Sequence, residues 1–219
     1  MDTSLHAVIL AAGSGSRMGH VPKCLIHAEG RTLLERLLGA MEPLQASATA
    51  LVLGTHAPAI KQAMATWPLA RGIRCVTNET PEESPAGSLR LALRALPGGG
   101  AHPVMVLLAD QPLLTAHDLA AVWLAYQSRA TGTEVVWPAV KGQPGHPIVI
   151  SPGVAQALRE HTVDSLKQWR QRHPATVADW LSSNPAHTFD LDTPEDLQVL
   201  SKATHLDWHL PGSGDAEPG

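Results

Sequence analysis

Short apolar runs alternate with amphipathic segments along most of the 219-residue chain. Several of these runs are apolar at every position, which is typical of strands that are covered on both faces. Strands that alternate with helices predict βαβ units, and therefore a mostly parallel sheet with helices on both faces. The predicted strands lie at residues 7–12, 50–53, 73–76, 104–109, 134–137, 146–150 and 188–191.

Three amphipathic segments repeat apolar residues at the i, i+3, i+4 and i+7 positions that form one face of a helix. These segments cover residues 34–41, 89–96 and 119–126. Thr115 and Thr193 mark two helix starts, because each is followed by an acid suited to a helix N-terminus.

The order of elements indicates one Rossmann-like α/β domain over residues 1–205. The regular alternation breaks down from residue 134, where a Gly/Pro loop separates two strand-like runs. We expect this region to be an insertion on the rim of the sheet, folded over the functional site. The glycine-rich run at 97–100 is expected to end a helix, and residues 206–219 to form a loose tail.

Composition narrows the classes of protein to which such a domain can belong. Hydrophobic residues make up 44% of the chain and charged residues 16%, which is a globular balance. The net charge of −4, with no basic block, argues against nucleic acid as a partner. Two cysteines are too few for a disulfide framework. The apolar stretch at 6–12 is too short to span a membrane and resembles no signal peptide, so we expect a cytoplasmic protein without a membrane partner.

The first predicted strand leads into a glycine-rich turn that contains Gly13 and Gly15 and precedes the cations Arg17 and Lys23. Glycines allow the backbone to approach a phosphate closely, and free amide groups then point at its oxygens. Fixed cations beside such a turn stabilise the charge that builds up on a departing pyrophosphate. The segment therefore predicts a triphosphate-binding loop; the alternative is a tight strand-to-helix turn that binds nothing.

Two other nucleotide-binding loops fit these residues less well. The spacing of Gly13, Gly15 and Gly19 also occurs in dinucleotide-binding folds, which place an acid at the end of the second strand to hold a ribose hydroxyl. The second predicted strand ends in the sequence LVLGTH at 51–56, which contains no acid. The Gly-Lys-Ser/Thr ending of a P-loop is also missing.

Four blocks of the sequence together resemble one family of enzymes. They are LAAGSGSRMG at 10–19 followed by Pro22-Lys23, LLADQP at 107–112, GQPGHP at 142–147 and DLDTPEDL at 190–197. Their combination resembles the MobA-like nucleotidyltransferases, and within them the molybdenum cofactor cytidylyltransferases. The first block is also similar to the opening of sugar-phosphate and methylerythritol-phosphate cytidylyltransferases.

The resemblance implies the fold of the nucleotide-diphospho-sugar transferases and transfer of a nucleotide to a phosphorylated acceptor. It also implies CTP, since the Ala11-Ala12-Gly13 opening is similar to that of the CTP-using members, whereas guanylyltransferases more often show Ala-Gly-Gly. Two departures leave the acceptor open. The Gly-Met that often precedes Ser88-Leu89 is absent, and residues 161–165 replace the Gly-Asp-x-Gly found before the late helix in many members.

Aspartates follow two of the predicted strands, at the carboxyl ends where open α/β sheets bind ligands. Asp110 follows the strand at 104–109 and Asp192 follows the strand at 188–191, on which Asp190 shares its face. Two carboxylates there can share one Mg²⁺ with triphosphate oxygens, because Mg²⁺ prefers oxygen and keeps several waters. We predict Asp110 and Asp192 as metal ligands, with Asp190 in reserve and Mn²⁺ as the alternative ion. The alternatives are acids that cap a turn or a helix start.

The motifs and the resemblance together assign a candidate role to each remaining residue. The predicted catalytic residues are Arg17, Lys23 and Asp110. The predicted nucleotide-binding residues are Leu10, Ala11, Ala12, Gly13, Gly15, Lys23, Asn78 and Ser88. The predicted acceptor-binding residues are Gln111, Pro112, Gly145 and His146. For Asn78 and Ser88 the alternatives are a turn asparagine and a helix N-cap.

The sequence thus predicts transfer of CMP from CTP to a phosphorylated acceptor, in the first place molybdenum-molybdopterin, with release of pyrophosphate. A phosphate acceptor is already ionised near neutral pH, so no catalytic histidine is predicted. GMP transfer to the same cofactor, or transfer to a sugar or polyol phosphate, is the enzymatic alternative. The alternative from another class of function is a non-catalytic protein that binds the cofactor and delivers it. A molybdoenzyme or its chaperone is a further expected partner.

Overall fold

The computed structural model describes residues 4–80, 85–98 and 101–212, to which all structural statements refer. Its strands are β1 (His6–Ala11), β2 (His27–Ala28), β3 (Arg31–Thr32), β4 (Ala48–Leu53), β5 (Arg74–Thr77), β6 (Val104–Leu108), β7 (Val135–Val140), β8 (Gln143–Pro144), β9 (Ile148–Ile150) and β10 (Val177–Leu181). Its α-helices are α1 (Leu33–Met41), α2 (Ala57–Met64), α3 (Pro85–Ala95), α4 (Ala116–Gln127), α5 (Pro152–Arg159), α6 (Leu166–Arg172) and α7 (Pro194–Thr204).

The main sheet has the strand order β10-β7-β9-β6-β1-β4-β5, with β8 paired to β7. Strand β9 runs antiparallel to both of its neighbours, β6 and β7, whereas β1, β4, β5 and β6 are parallel to one another. Strands β7 and β10 therefore point the same way as β1, and their carboxyl ends lie along one side of the sheet. We call this side the carboxyl edge. The mixed but mostly parallel sheet confirms the predicted fold class.

Both faces of the sheet are covered by helices, which explains why β1, β4 and β6 each contain a continuous apolar run. Helices α1, α2 and α4 pack on one face, where Ile9 points, and helices α3 and α5 pack on the other, where Val8 points. Both side chains are fully buried. The burial removes apolar surface from water on the two faces at once, which is the main source of stability for such a sheet. No helix within the described residues is both long and apolar enough to cross a membrane.

Both predicted helix starts with acids are confirmed. The Thr115 hydroxyl accepts a hydrogen bond from the N–H of Asp118, whose carboxylate accepts in return from the N–H of Thr115. Thr193 and Asp196 form the same reciprocal pair at the start of α7. Each pair satisfies amide groups that the first helical turn leaves without partners.

The strand predicted at residues 188–191 is wrong. A 3₁₀ helix covers Pro185–Thr188, and residues 189–193 have no regular secondary structure. Asn184 caps this helix by accepting from the N–H of Ala186 at 3.0 Å, which favours a turn over an extended chain. The alternation along a strand from which a shared face was inferred for Asp190 and Asp192 is therefore absent, although both side chains lie within reach of the charges of the same cluster. The last strand is instead β10, whose short run of mixed polarity had escaped prediction.

The region after residue 134 is not an insertion on the rim. Strand β9 pairs with β6 and β7, and β10 continues the same sheet, so these residues extend the sheet itself. Residues 206–210 differ from the predicted loose tail, because Trp208 is buried and His209 exchanges two backbone hydrogen bonds with His27. Residues 213–219 of that tail, and residues 99 and 100 of the glycine-rich run, lie outside the described residues.

Candidate active site

The loop at residues 12–22 crosses the carboxyl edge directly after β1. Gly15 has a φ of 62°, in the left-handed region that glycine tolerates. Its carbonyl accepts hydrogen bonds from the N–H groups of Met18 and His20 at 2.8 and 2.9 Å, which closes the turn. Among the described residues, none accepts from the N–H groups of Gly13, Ser14 or Gly15. These amides are therefore available to an anion, as a phosphate-binding loop requires.

Two residues that sequence reasoning missed hold this loop in place. A Cβ at Gly54, after the end of β4, would lie 2.3 Å from the carbonyl oxygen of Ala12, so only glycine fits there. The ring nitrogen Nε2 of His56 lies 3.0 Å from the carbonyl oxygen of Ser14, to which it donates. The position of Gly54 at the end of a strand was a signal for its contact with Ala12, whereas nothing in the sequence indicated the contact of His56 with Ser14.

Lys23 lies at the centre of a charged cluster below the loop. Its ammonium donates to a carboxylate oxygen of Asp110 and, at 2.8 Å, to Oδ1 of Asp192. Arg17 reaches the other oxygen of Asp192 at 3.2 Å. The side chain of Lys23 is only 13% exposed whereas that of Arg17 is 72% exposed, so Lys23 is the fixed cation and Arg17 is the solvated one.

The charges in the cluster shift the protonation equilibria of its members. Desolvation lowers the pKa of Lys23, but the carboxylates of Asp110 and Asp192 outweigh it and raise this pKa overall, so the ammonium stays charged. Burial, followed by the nearby charge of Asp110, raises the pKa of Asp190. Burial also raises the pKa of the Cys24 thiol to about 12, so this side chain is a neutral packing group.

Two clefts meet at Gly13 and Lys23. The lining of the first includes Leu10, Ala11, Gly13, Lys23 and Asp110. The second is lined by Gly13, Gly15, Ser16, Arg17, Lys23 and Asp192. The structure thus brings together all three predicted catalytic residues, both predicted metal ligands and most of the predicted nucleotide-binding residues. Ala12 is buried beneath the loop.

Asn78 and Ser88 lie next to each other on the β5 side of the sheet. The amide of Asn78 donates to the hydroxyl of Ser88 at 2.9 Å, and both side chains are buried. Ser88 lies inside α3, which begins at Pro85, so the alternative of a helix N-cap is wrong for this residue. Contact with a nucleotide stays a prediction for both.

Gln111 connects the charged cluster to the opposite side of the carboxyl edge. Its buried amide nitrogen donates to the carbonyl oxygen of His187 at 3.1 Å and to Oδ1 of Asp190 at 2.9 Å. Pro112 follows it at the half-buried start of the turn before α4. Asp190, the reserve candidate for a metal ligand, therefore already accepts a hydrogen bond from Gln111.

Gly145 and His146 form a loop before β9 that packs against His187. The N–H of His146 donates to the carbonyl oxygen of His187 at 2.8 Å, and Nδ1 of His187 donates to the carbonyl oxygen of His146 at 2.9 Å. Desolvation lowers the pKa of His146 to about 4, so its ring is neutral at pH 7. A neutral ring offers an acceptor a hydrogen bond and no positive charge.

The two carboxylates of the charged cluster fit a hard divalent ion. No group of three or more His, Cys, Asp or Glu side chains within the described ranges is arranged for a metal. Asp110 and Asp192 nevertheless converge on a single cation, the ammonium of Lys23. Two carboxylates with phosphate oxygens and water form the donor set that Mg²⁺ or Mn²⁺ accepts.

Residues 7–177 match the model of the MobA-like NTP transferase domain. The chain belongs to this family. It is therefore a nucleotidyltransferase by family, as the resemblance of its motifs implied. The matched region contains the loop, Lys23, Asp110 and His146, but ends before Asp192.

Curated relatives match part of this nucleotidyltransferase and a smaller part of their own length. The bifunctional protein GlmU of Alkalilimnicola ehrlichii is 35% identical over 123 residues, which cover 56% of this chain and 25% of the relative. The protein of the same name from Maricaulis maris is 34% identical over 132 residues, which cover 60% of this chain and 28% of the relative. The chain thus matches about a quarter of the length of these bifunctional proteins.

Solved structures cover the nucleotidyltransferase almost completely. Rv0371c from Mycobacterium tuberculosis is 26% identical, with a TM-score of 0.72 over 92% of this chain and 100% of that one. The same protein has been solved in complex with manganese, with a TM-score of 0.69, 25% identity and the same coverage of both chains. The 4-diphosphocytidyl-2C-methyl-D-erythritol synthase of Anaerococcus prevotii has a TM-score of 0.73 over 93% of this chain and 97% of its own, and at 18% identity it shows the fold alone.

Proposed function

We propose that this nucleotidyltransferase moves CMP from CTP to a terminal phosphate of molybdenum-molybdopterin and releases pyrophosphate. The observation that carries the proposal is the cluster in which Lys23 joins Asp110 and Asp192 directly below the free amides of the loop. This arrangement offers cations and N–H donors to a triphosphate, and carboxylates to a metal, at one point of the carboxyl edge.

The loop side of the site binds and orients the triphosphate. The free N–H groups of Gly13, Ser14 and Gly15 donate to phosphate oxygens, and Lys23 and Arg17 neutralise the charge that accumulates on the departing pyrophosphate. Lys23 is the stronger contributor because its side chain is nearly buried, where an electrostatic interaction is less screened by water. The nucleotide arrives where the two clefts meet.

Asp110 and Asp192 are the residues that would hold a divalent metal ion, Mg²⁺ in the first place and Mn²⁺ as the alternative. The manganese complex of the M. tuberculosis protein supports such an ion. When bound, it supplies charge neutralisation and orientation of the phosphates. If the two carboxylates held such an ion, they would no longer need the ammonium of Lys23, which would then be available to contact phosphate.

The acceptor side presents a phosphate oxygen to the α-phosphorus of the nucleotide. One bond forms between this oxygen and the α-phosphorus, and the bond between the α-phosphorus and the bridging oxygen of the pyrophosphate breaks. The pyrophosphate leaves with the electron pair of that bond. An ionised phosphate needs no general base, so the neutral ring of His146 is left to bind the acceptor by hydrogen bonding.

The identity of the nucleotide and of the acceptor rests on the resemblance of motifs. The Ala11-Ala12 pair favours CTP, and the combination of the Asp110-Gln111-Pro112 and Gly145-His146-Pro147 motifs favours a molybdopterin acceptor. With this acceptor we place the protein in the cytoplasm, with a molybdoenzyme or its chaperone as a partner. A sugar or polyol phosphate is the second candidate acceptor, since the synthase from A. prevotii shares the fold.

One assay separates these candidates. The protein is incubated with Mg²⁺ and, in turn, CTP, GTP, ATP or UTP, each with molybdenum-loaded molybdopterin, with methylerythritol phosphate or without an acceptor, and released pyrophosphate is measured. We expect release with CTP and molybdopterin. If methylerythritol phosphate were the one acceptor that supported release, the acceptor would be a polyol phosphate and not molybdopterin. If GTP were the one nucleotide that supported release, the nucleotide would be GTP and not CTP. An absence of release in every combination would favour a cofactor-delivery protein and overturn the proposal.

A further inference from the structure

His187 is a buried residue that belongs to none of the sequence motifs. It is 1% exposed and lies in the 3₁₀ helix Pro185–Thr188, before the residues that carry Asp190 and Asp192. Its backbone carbonyl accepts from the N–H of His146 at 2.8 Å, and its ring Nδ1 donates to the carbonyl of His146 at 2.9 Å. One residue thus holds both polar groups of the His146 backbone.

The contact between the two segments leaves no spare room. A Cβ at Gly145 would lie 2.2 Å from the carbonyl oxygen of His187, so the two backbones touch. On its other side the His187 ring meets the ring of Trp180 edge-on, with centroids 5.5 Å apart and an interplanar angle of 89°. The His187 side chain is therefore fixed between β10 and the loop at 145–146.

The same stretch of chain also reaches the charged cluster. The amide of Gln111 donates to the carbonyl of His187 and to Asp190, and the N–H of Leu191 donates to the carbonyl of Asp110 at 2.9 Å. Residues 187–192 therefore form a strap that is bonded to the loop at 145–146 at one end and to the strand-end turn at Asp110 at the other. His187 supplies the only side-chain bond, among the described residues, between this strap and the loop at 145–146.

We propose that His187 is a positioning residue, which sets the distance between the acceptor loop at 145–146 and the carboxylates of Asp110 and Asp192. In-line transfer requires the acceptor oxygen to lie within a few tenths of an ångström of its reactive position. The N–H of Gly145 also anchors this loop, by donating to the carbonyl of Pro138 at 2.7 Å, but among the described residues only the His187 ring bonds the carbonyl of His146. The inference rests on the proposed function, because it takes the loop at 145–146 to bind the acceptor.

Two substitutions of His187 separate its hydrogen bond from its volume. His187→Leu fills the space but removes the donor, whereas His187→Asn places an amide nitrogen near the position of Nδ1 and keeps the donor. For His187→Leu we expect the KM for molybdenum-molybdopterin to rise about tenfold, because a loop that occupies its binding position only about a tenth of the time binds about tenfold more weakly. The KM for CTP should change by less than about twofold, and His187→Asn should recover most of the loss.

A matched control comes from the same 3₁₀ helix. Asn184 donates to Asp118 at 2.8 Å and caps the helix, but within the described ranges it forms no hydrogen bond with the loop at 145–146. Asn184→Ala therefore loosens the helix without removing the His187 bond, and both KM values should stay near those of the wild type. An equal rise in acceptor KM for Asn184→Ala and His187→Leu would reduce His187 to a stabilising residue and overturn the proposal.

A second measurement keeps the inference independent of the acceptor's identity. Amide hydrogen exchange at His146, measured without any substrate, should accelerate by about tenfold or more in His187→Leu and stay unchanged in Asn184→Ala. Unchanged exchange in His187→Leu would contradict the positioning role even if turnover fell. If exchange at His146 were faster in His187→Leu but the wild type released no pyrophosphate, His187 would still position the loop, and only the proposed function would be wrong.

Discussion

The two sides of the carboxyl edge are built in different ways. The side that we propose for the nucleotide, called the nucleotide side below, follows β1 and β6, which are central, parallel and adjacent. Its loop, Lys23 and Asp110 each follow a strand or turn within a short distance. The side that we propose for the acceptor, called the acceptor side below, joins the loop at 145–146 to the strap at 187–192 through one backbone hydrogen bond and one bond from the His187 ring. These two segments are far apart in the chain. Local sequence thus specifies the first side, and tertiary contacts specify the second.

One feature is nevertheless common to both sides. Each relies on a glycine whose missing side chain lets two backbones touch: Gly54 against the carbonyl of Ala12, and Gly145 against the carbonyl of His187. A site whose two sides are held in different ways can be perturbed one side at a time.

Asp110→Asn should lower kcat by about a thousandfold, because it removes a charge that the nucleotide side needs for the metal and for Lys23. The fold should persist, since Asp110 lies at the rim of the core and its side chain is partly exposed. Pyrophosphate release and circular dichroism measure the two effects. Asp179→Asn is the control, because it removes one charge from an exposed pair with Arg170 and should leave turnover unchanged. Turnover retained in Asp110→Asn would exclude Asp110 from the metal site.

Lys23→Met should lower kcat/KM for CTP by about a hundredfold, since a nearly buried cation no longer meets the triphosphate. The same variant should bind Mn²⁺ more tightly than the wild type in the absence of nucleotide, because Asp110 and Asp192 lose the ammonium that occupies them. Electron paramagnetic resonance of free Mn²⁺ measures this affinity. Lys61→Met removes an exposed lysine on α2 and should change neither quantity. Weaker Mn²⁺ binding in Lys23→Met would contradict the exchange of ammonium for metal.

Gly54→Ala and Gly145→Ala should act on opposite substrates. Each introduces a methyl group at about the same short distance from a backbone oxygen, 2.3 and 2.2 Å, so each should cost about 1–3 kcal/mol of stability. Gly54→Ala should raise the KM for CTP, and Gly145→Ala the KM for the acceptor, by about tenfold each. Steady-state kinetics with one substrate varied at a time reveals the split. If each variant raised both KM values equally, the two sides would not be independent.

His146→Gln should have the smallest effect, and only in acid. The pKa of His146 is about 4 in the folded protein, below the ordinary value of 6.5, so the folded state disfavours the proton that the unfolded chain binds. Its contribution to stability is therefore complete above pH 6.5 and is lost as the pH falls from 6.5 towards 4. Thermal unfolding at pH 7 and pH 5 should show a smaller loss of Tm in His146→Gln than in the wild type. The pKa of His6 is also lowered, by burial and by the charges of His102 and Arg74. His6 is present in both proteins, so its contribution to the loss of stability in acid should be the same in each.

The sequence was sufficient for the parts of the molecule whose signals are local. The apolar runs of β1, β4, β5 and β6 predicted the central sheet. Gly13, Lys23 and Asp110 were predicted to lie together, because each lies close to the end of a strand or in a turn, and they line one cleft. The pattern was insufficient for β10, a short strand of mixed polarity at the end of the sheet, and for residues 188–191, where apolar and acidic residues alternate without forming a strand. Periodicity cannot distinguish a strand from an extended strap that bonds to a distant turn.

The acceptor side also contains contacts with no sequence signature. No motif or periodicity marks His187 in the sequence. It contacts residues about forty positions away in the chain, which the sheet brings close to it. His56 is similar, since its ring contacts the carbonyl of Ser14 only after β1 and β4 pair. Such residues become visible only through the fold. Gly145 was instead predicted from its place in the GQPGHP block, and Gly54 could have been selected by its place at a strand end.

The pairing of His209 with His27 has a consequence for how the protein is made. Because His27 lies four residues after Lys23, and Asp192 must also reach Lys23, the charged cluster depends on two segments that are translated after the central strands. Domains form as their residues leave the ribosome, beginning at the N-terminus. The central strands can therefore collapse during translation while the carboxylate from residue 192 is still missing. Nucleotide affinity should accordingly appear in one late step of synthesis, and a nascent chain stalled before residue 192 should not yet compete for the cellular triphosphate pool.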